Sequence, residues 1–150
     1  MTRPSTSQAP AGPARCVRRS RVVPASPATV FALLSDPEEH VALDGSGTVQ
    51  AVVEAPTRLQ PGSEFVMRMK GYTTRNRVVE HADDALIAWR HRGRHVWRWE
   101  LRPVAGGTEV TATFDHSAKR CAPVVRALGL PRKAGTALEQ TLENLHARVT

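Results

Sequence analysis

The chain has 150 residues, 41% of them hydrophobic, enough for one domain with its own core and too few for two. It carries 21 Lys and Arg against 14 Asp and Glu, a formal net charge of +7, and all but three of the basic residues are arginines scattered along the chain. Without a reading element or exposed stacking aromatics that balance does not make a nucleic-acid module, and with no run of about 20 apolar residues a membrane span is not expected either.

Residues 1–14 are rich in Pro, Ser and Ala without apolar periodicity, so a disordered N-terminal tail is expected there, followed by one domain over residues 15–150. The tail lacks the continuous apolar stretch of a signal peptide, and the expected location is cytoplasmic. Cys16 and Cys121 stand far apart outside any metal-type cluster, which suits reduced thiols rather than a disulfide.

Val17 to Val23 reads as a short strand. Ser26 and Pro27 then open a helix, since serine accepts from the first free N–H groups and proline lacks only a donor that would be orphaned there. Val30, Phe31, Leu33 and Leu34 give it an apolar face. Asp36-Pro37-Glu38-Glu39 repeats the device, with Asp36 as cap and Glu39 placed to close a capping box. This second helix ends near Leu43, where Asp44-Gly45-Ser46-Gly47 breaks it.

From Thr48 the pattern alternates for about seventy residues, which is the period of strands. Candidate strands are Val49 to Glu54, Ser63 to Lys70, Thr73 to His81, Ala85 to His91, His95 to Arg102 and Thr108 to His116. The turns between them are mostly too short for parallel crossovers, so an antiparallel meander is implied. Pro103 to Gly107 closes the last hairpin. Alternation puts Trp97, Trp99 and Leu101 on one side, and Val110, Ala112 and Phe114 on one side of the next strand. Phe65, Met67, Met69, Asn76, Val78, Ile87, Trp89 and His91 are expected on that same sheet face.

Ala118 to Arg132, punctuated by Pro123 and Pro131, reads as an ill-defined helical or loop approach. Leu138, Thr141, Leu142, Leu145 and Val149 then recur at helical spacing, which predicts a helix of about 14 residues, roughly 21 Å long, with one apolar stripe. The concave face of the sheet is the surface large enough to receive that stripe.

A strand, two short helices, six antiparallel strands and a terminal helix form the order of the α+β helix-grip fold. Val30-Phe31-Ala-Leu33-Leu34-Ser-Asp36-Pro37-Glu-Glu-His40, Leu59-Gln-Pro-Gly62-Ser-Glu-Phe65, Arg77-Val78-Val79-Glu80, Leu86-Ile87-Ala-Trp89, Trp97-Arg-Trp99-Glu-Leu101-Arg-Pro103 and Gly106-Gly107-Thr108-Glu-Val110-Thr carry the likeness. Over residues 16–149 the chain resembles the polyketide cyclase/dehydrase and lipid-transport branch of the START/Bet v 1-like (SRPBCC) superfamily. The resemblance implies a curved sheet of about seven strands around the last helix, with a pocket for a hydrophobic small molecule. It does not imply one chemistry, because similar proteins include carriers, aromatases, cyclases and chaperone-associated domains. The chain also departs from the pattern: Val41-Ala-Leu43-Asp44-Gly45 stands where an aromatic residue often follows the second short helix.

Such a pocket needs an apolar wall and a few polar groups that fix orientation. Phe65, Met67, Met69, Trp89, Trp97, Trp99, Phe114, Leu138 and Leu142 are the candidate wall, with Asn76 among them; the same residues could equally fill a closed core. Tyr72, Asn76 and His91 are the candidate catalytic groups, with His95 and His116 as further polar residues at strand ends, where a histidine near neutrality could move a proton. Arg75 and Arg77 share the strand face opposite Asn76 and Val78, and would hold an acidic ligand only if a bulge reversed the register. There is no phosphate loop, His-Glu-x-x-His, Cys-x-x-Cys or nucleophile elbow, and His40, Asp44 and His116 lack ligand spacing, so neither metal nor cofactor is expected. The expected partner is a small hydrophobic ligand, of polyketide, lipid or isoprenoid type. Binding or transport is the better-supported function, and a polyketide aromatase or cyclase using the same pocket is the alternative.

Overall fold

The computed structural model describes residues 16–91, 95–116 and 130–150. Strand β1 (Cys16–Val23) leads into α1 (Pro27–Leu34) and α2 (Pro37–Leu43). Six strands follow: β2 (Val49–Glu54), β3 (Glu64–Met69), β4 (Tyr72–Ala82), β5 (Leu86–His91), β6 (Val96–Val104) and β7 (Gly107–Asp115). Helix α3 (Leu130–Val149) comes last. The expected N-terminal tail, Cys121 and most of the Ala118 to Arg132 segment lie outside the described residues.

Each capping residue works as its chemistry dictates. Ser26 Oγ accepts from the Thr29 N–H at 3.2 Å, and Asp36 Oδ1 accepts from the Glu38 N–H at 3.0 Å. Glu39 does not close the expected capping box. Its carboxylate takes the Arg148 guanidinium of α3 at 3.0 and 3.2 Å, while the Asp36 N–H goes to the Leu33 carbonyl at 3.3 Å. A two-donor charged fork outcompetes a single backbone donor for the same oxygens.

The strands form one sheet in the order β1-β7-β6-β5-β4-β3-β2, antiparallel throughout, with β1 crossing to the far edge beside β7. Directly opposed pairs confirm the inner face: Phe65 with Asn76, Asn76 with His91, Val78 with Trp89, Trp89 with Trp97, Ile87 with Trp99 and Trp97 with Phe114. Register shifts between Val78 and Glu80 in β4, and twice in β2, bend the sheet into a trough.

Helix α3 lies against that trough and begins earlier than its apolar stripe suggests, running 20 residues instead of about 14. Pro131, read as punctuation, and Gly135, a weak helix former, are both accommodated in its first two turns. Pro131 sits in the first turn, where the N–H it lacks has no helical partner. Gly135 faces β1 so closely that a Cβ there would stand 2.7 Å from Arg19 Nη2 and 3.3 Å from Val17 Cγ1. Arg19 in turn holds Glu139 of the helix at 2.7 Å.

The core fills one end of the trough. Val30, Phe31 and Leu34 of α1 meet Ile87, Leu101, Val110 and Ala112 of the sheet and Leu142 and Leu145 of α3, all of them buried.

Candidate functional site

At the other end the described residues leave the trough unfilled. A cavity of about 400 Å³ lies between the inner face of the sheet and the first half of α3. The helix sequence accounts for it: Ala134, Ala137, Leu138 and Thr141 face the cavity, whereas Leu142 and Leu145, the next positions along the stripe, are not among its lining residues and are packed in the core. Small side chains opposite aromatic ones leave space that a leucine at each position would close.

The sheet supplies the opposite wall. Phe65, Met67 and Met69 of β3, Asn76 of β4, Trp89 of β5, Trp97 and Trp99 of β6 and Phe114 of β7 all border the cavity, as does Leu138 from the helix. Leu142 is the correction: it is buried one turn beyond Leu138 and belongs to the closed end. The rings interlock, with Phe65 edge-on to Trp89 at 5.9 Å, Trp89 inclined by 30° to Trp99 at 6.4 Å and Trp97 against Phe114 at 4.6 Å. Contacts of this kind fix ring orientation as well as burying area.

The cavity runs from a buried end to an exposed one. Leu34, Leu43, Phe65 and Trp99 at the inner end are no more than 5% exposed, whereas Tyr72, at the turn between β3 and β4, is 55% exposed. Tyr72 therefore borders the rim. Asn76 is buried and donates from Nδ2 to Thr74 Oγ1 at 3.2 Å. His91 and His95 stack face to face at 4.3 Å where β5 meets β6, and both border the cavity. His116 is fully buried beside Phe114 and does not line it. Tyr72, Asn76 and His91 thus share one cavity, but they occupy its rim and middle.

Two lining features escaped the sequence reading. The first is His40, whose ring stacks on Trp89 at 4.7 Å and meets Phe65 edge-on at 5.7 Å. Its Nε2 lies 2.7 Å from the Leu34 carbonyl oxygen. Burial pushes its pKa below the ordinary histidine value, against the opposing pull of that carbonyl and of Asp36 and Asp44, so the ring is neutral at pH 7. The signal was present: Pro37, His40 and Leu43 recur at three-residue spacing on α2, and the first and last are buried.

The second is the segment Asp44 to Thr48, which the sequence marks as a helix breaker and, at Asp44-Gly45, as a departure from the family pattern, without showing what it touches. Asp44 accepts from the Ser46 N–H at 3.1 Å, from Ser46 Oγ at 2.8 Å and from the Val49 N–H at 3.2 Å. The Gly45 N–H donates to Thr141 Oγ1 at 2.8 Å, and the Thr141 hydroxyl in turn donates to the Ala137 carbonyl at 2.8 Å. A Cβ at Gly45 would meet the Ala137 carbonyl, the Thr141 nitrogen and Gln140 Cβ, the last at 2.7 Å. Glycine is required because this loop lies directly on the helix, pinning one cavity edge to α3.

Arg75 and Arg77 are exposed on the outer face, since the β4 register shift falls beyond them and does not reverse their direction. Arg75 reaches Glu64 at 3.5 Å. Cys16 is a free, exposed thiol whose pKa burial and Asp115 raise. Among the described residues no three His, Cys, Asp or Glu side chains cluster in a way that could hold a metal ion, and no helix is long and apolar enough to cross a membrane.

A family model described as polyketide cyclase / dehydrase and lipid transport matches residues 14–150. Uncharacterized protein Rv0088 of Mycobacterium tuberculosis (strain ATCC 25618 / H37Rv) is 37% identical over 144 residues, which is 90% of this chain. The uncharacterized protein MT0096 of strain CDC 1551 / Oshkosh is 36% identical over the same share. The chain spans 64% of the length of each of these relatives. Among solved structures, that of the KanY protein superposes with a TM-score of 0.72 at 17% identity, over 89% of this chain and 96% of that one. Protein CV1439 from Chromobacterium violaceum superposes with a TM-score of 0.69 at 20% identity and the same coverage. At such identities the likeness is one of fold.

Proposed function

We propose that this chain, which belongs to the polyketide cyclase/dehydrase and lipid-transport family, binds or carries a small hydrophobic molecule of polyketide, lipid or isoprenoid type between its sheet and helix α3. The observation that carries this reading is the pairing of an aromatic sheet face with alanines on the facing half of the helix, which leaves about 400 Å³ open among mostly apolar side chains. Ligand sites have this size and character, with few polar groups among many apolar ones. A chain built only to fold would gain stability by filling that space, since lining atoms without neighbours forfeit dispersion contacts.

Native mass spectrometry after gentle purification tests the reading. The expected spectrum contains protein with an added mass that organic extraction removes, or protein that takes up one equivalent of an added long-chain alcohol. Bare protein in every preparation, with no uptake, would overturn it.

The alternative, an aromatase or cyclase, draws support from the placement of Tyr72, Asn76 and His91 around the same cavity. Holding a reactive chain in one fold contributes much of such a rate by orientation alone. For a cyclase, Tyr72→Phe, Asn76→Ala or His91→Ala lowers turnover of an accepted poly-β-ketone; unchanged turnover in all three removes these residues from any catalytic role.

A further inference from the structure

The polar atoms around the cavity differ in whether the protein already uses them. Thr141 Oγ1 accepts from the Gly45 N–H and donates to the Ala137 carbonyl. Asp44 is engaged by Ser46 and Val49, and Asn76 by Thr74. His40 is different. A backbone carbonyl can only accept, so the 2.7 Å contact from His40 to Leu34 places the ring proton on Nε2. Nδ1 is then a lone-pair acceptor, and no donor among the described residues reaches it.

The ring is also held rigidly. The stack on Trp89 and the edge contact with Phe65 fix its plane, and the Leu34 bond fixes its rotation within that plane. Its neighbours at this end of the cavity are Leu34, Leu43, Phe65, Trp89 and Trp99, apolar except for the buried Trp99 indole N–H, a donor that also lacks a partner among the described residues.

Resting on the reading that the cavity takes a ligand, we infer that His40 Nδ1 selects what that ligand carries at its inner end: a hydroxyl donor, as in a phenol, enol or alcohol, and not a carboxylate or phosphate. A neutral imidazole lone pair attracts a donated proton and repels an anion. A ligand that fills this end, where His40 sits among the rings of Phe65, Trp89 and Trp99, displaces water from Nδ1, and if it lacks a donor it leaves that atom without a partner. The molecule this geometry fits is an apolar body entered hydroxyl first, with any charged group kept at the Tyr72 rim.

A matched pair of probes, 2-naphthol and 2-methylnaphthalene, with 2-naphthoate as the anion, tests the inference by displacement of N-phenyl-1-naphthylamine at neutral pH. The naphthol-to-methylnaphthalene affinity ratio is expected to fall about fivefold from the wild type to His40→Leu, the equivalent of one hydrogen bond of about 1 kcal/mol. Naphthoate is expected to bind more weakly than naphthol in the wild type. Nitrogen NMR of the wild-type protein supplies a readout independent of the variant's folding: the Nδ1 resonance moves toward the hydrogen-bonded range with naphthol and stays in place with methylnaphthalene. If both neutral probes bind, the ratio is unchanged by His40→Leu and Nδ1 does not move, the hydroxyl inference is overturned while the cavity reading stands. If none of the probes binds and N-phenyl-1-naphthylamine does not either, the cavity reading itself falls.

Discussion

His40 illustrates how burial and one hydrogen bond decide what a side chain can do. Burial lowers its pKa below the free value of 6.5 despite Asp36 and Asp44. Between the folded and unfolded values the native protein holds fewer protons than the unfolded chain, so stability rises with pH in that window. The contribution is complete above the unfolded value and is lost as pH falls through the folded one. Urea unfolding is therefore expected to weaken more steeply on acidification in the wild type than in His40→Gln, and parallel slopes would refute the assignment. Phe65, 1% exposed and edge-on to both His40 and Trp89, holds the same corner. Truncation to alanine is expected to cost about 3–5 kcal/mol by urea unfolding, with the cavity enlarged rather than collapsed. The aromatic positions were legible because strand alternation has a period of two and cannot drift. His40 was harder to read, because its one signal, the three-residue spacing from Pro37 and Leu43, spans barely two turns of a seven-residue helix.

At the scale of elements, helix α3 is divided by composition into a half that spaces and a half that seals. The stripe from Leu138 to Val149 was visible in the sequence, as was its destination on the concave face. What it concealed was the change from leucine to alanine along the same face, which is why Leu142 was expected at the ligand wall and lies in the core instead. The helix start was hidden by Pro131, whose local preference points to a break but whose position suits a first turn, while Gly135 makes room for the contact with β1. The loop after α2 was hidden too, since glycine chosen for close approach looks the same in sequence as glycine chosen for a turn. Gly45→Ala is expected to destabilise the fold by about 1–3 kcal/mol, because its Cβ meets helix backbone that cannot step aside. Thr141→Val should cost about 1 kcal/mol or more by stranding the Gly45 N–H. Equilibrium unfolding of both variants checks these values, and wild-type stability in Gly45→Ala would mean that loop and helix are not in contact in solution.

For the whole molecule, the order of elements sufficed to read the helix-grip architecture, because a meander of short-turned strands and one long apolar-striped helix have few ways to bury their faces together. The space between them was not readable, since the residues that line a cavity and those that fill a core are chemically the same. That space is the centre of the account, and the chain carries its own reporters for it: all three tryptophans, Trp89, Trp97 and Trp99, border the cavity. Energy transfer from them to N-phenyl-1-naphthylamine, titrated against the wild type and against Ala137→Phe, is the most direct measurement. The account predicts saturable, one-to-one transfer in the wild type and its loss when phenylalanine occupies the helix side of the cavity. Transfer that never saturates, or that survives the filling substitution unchanged, would contradict it.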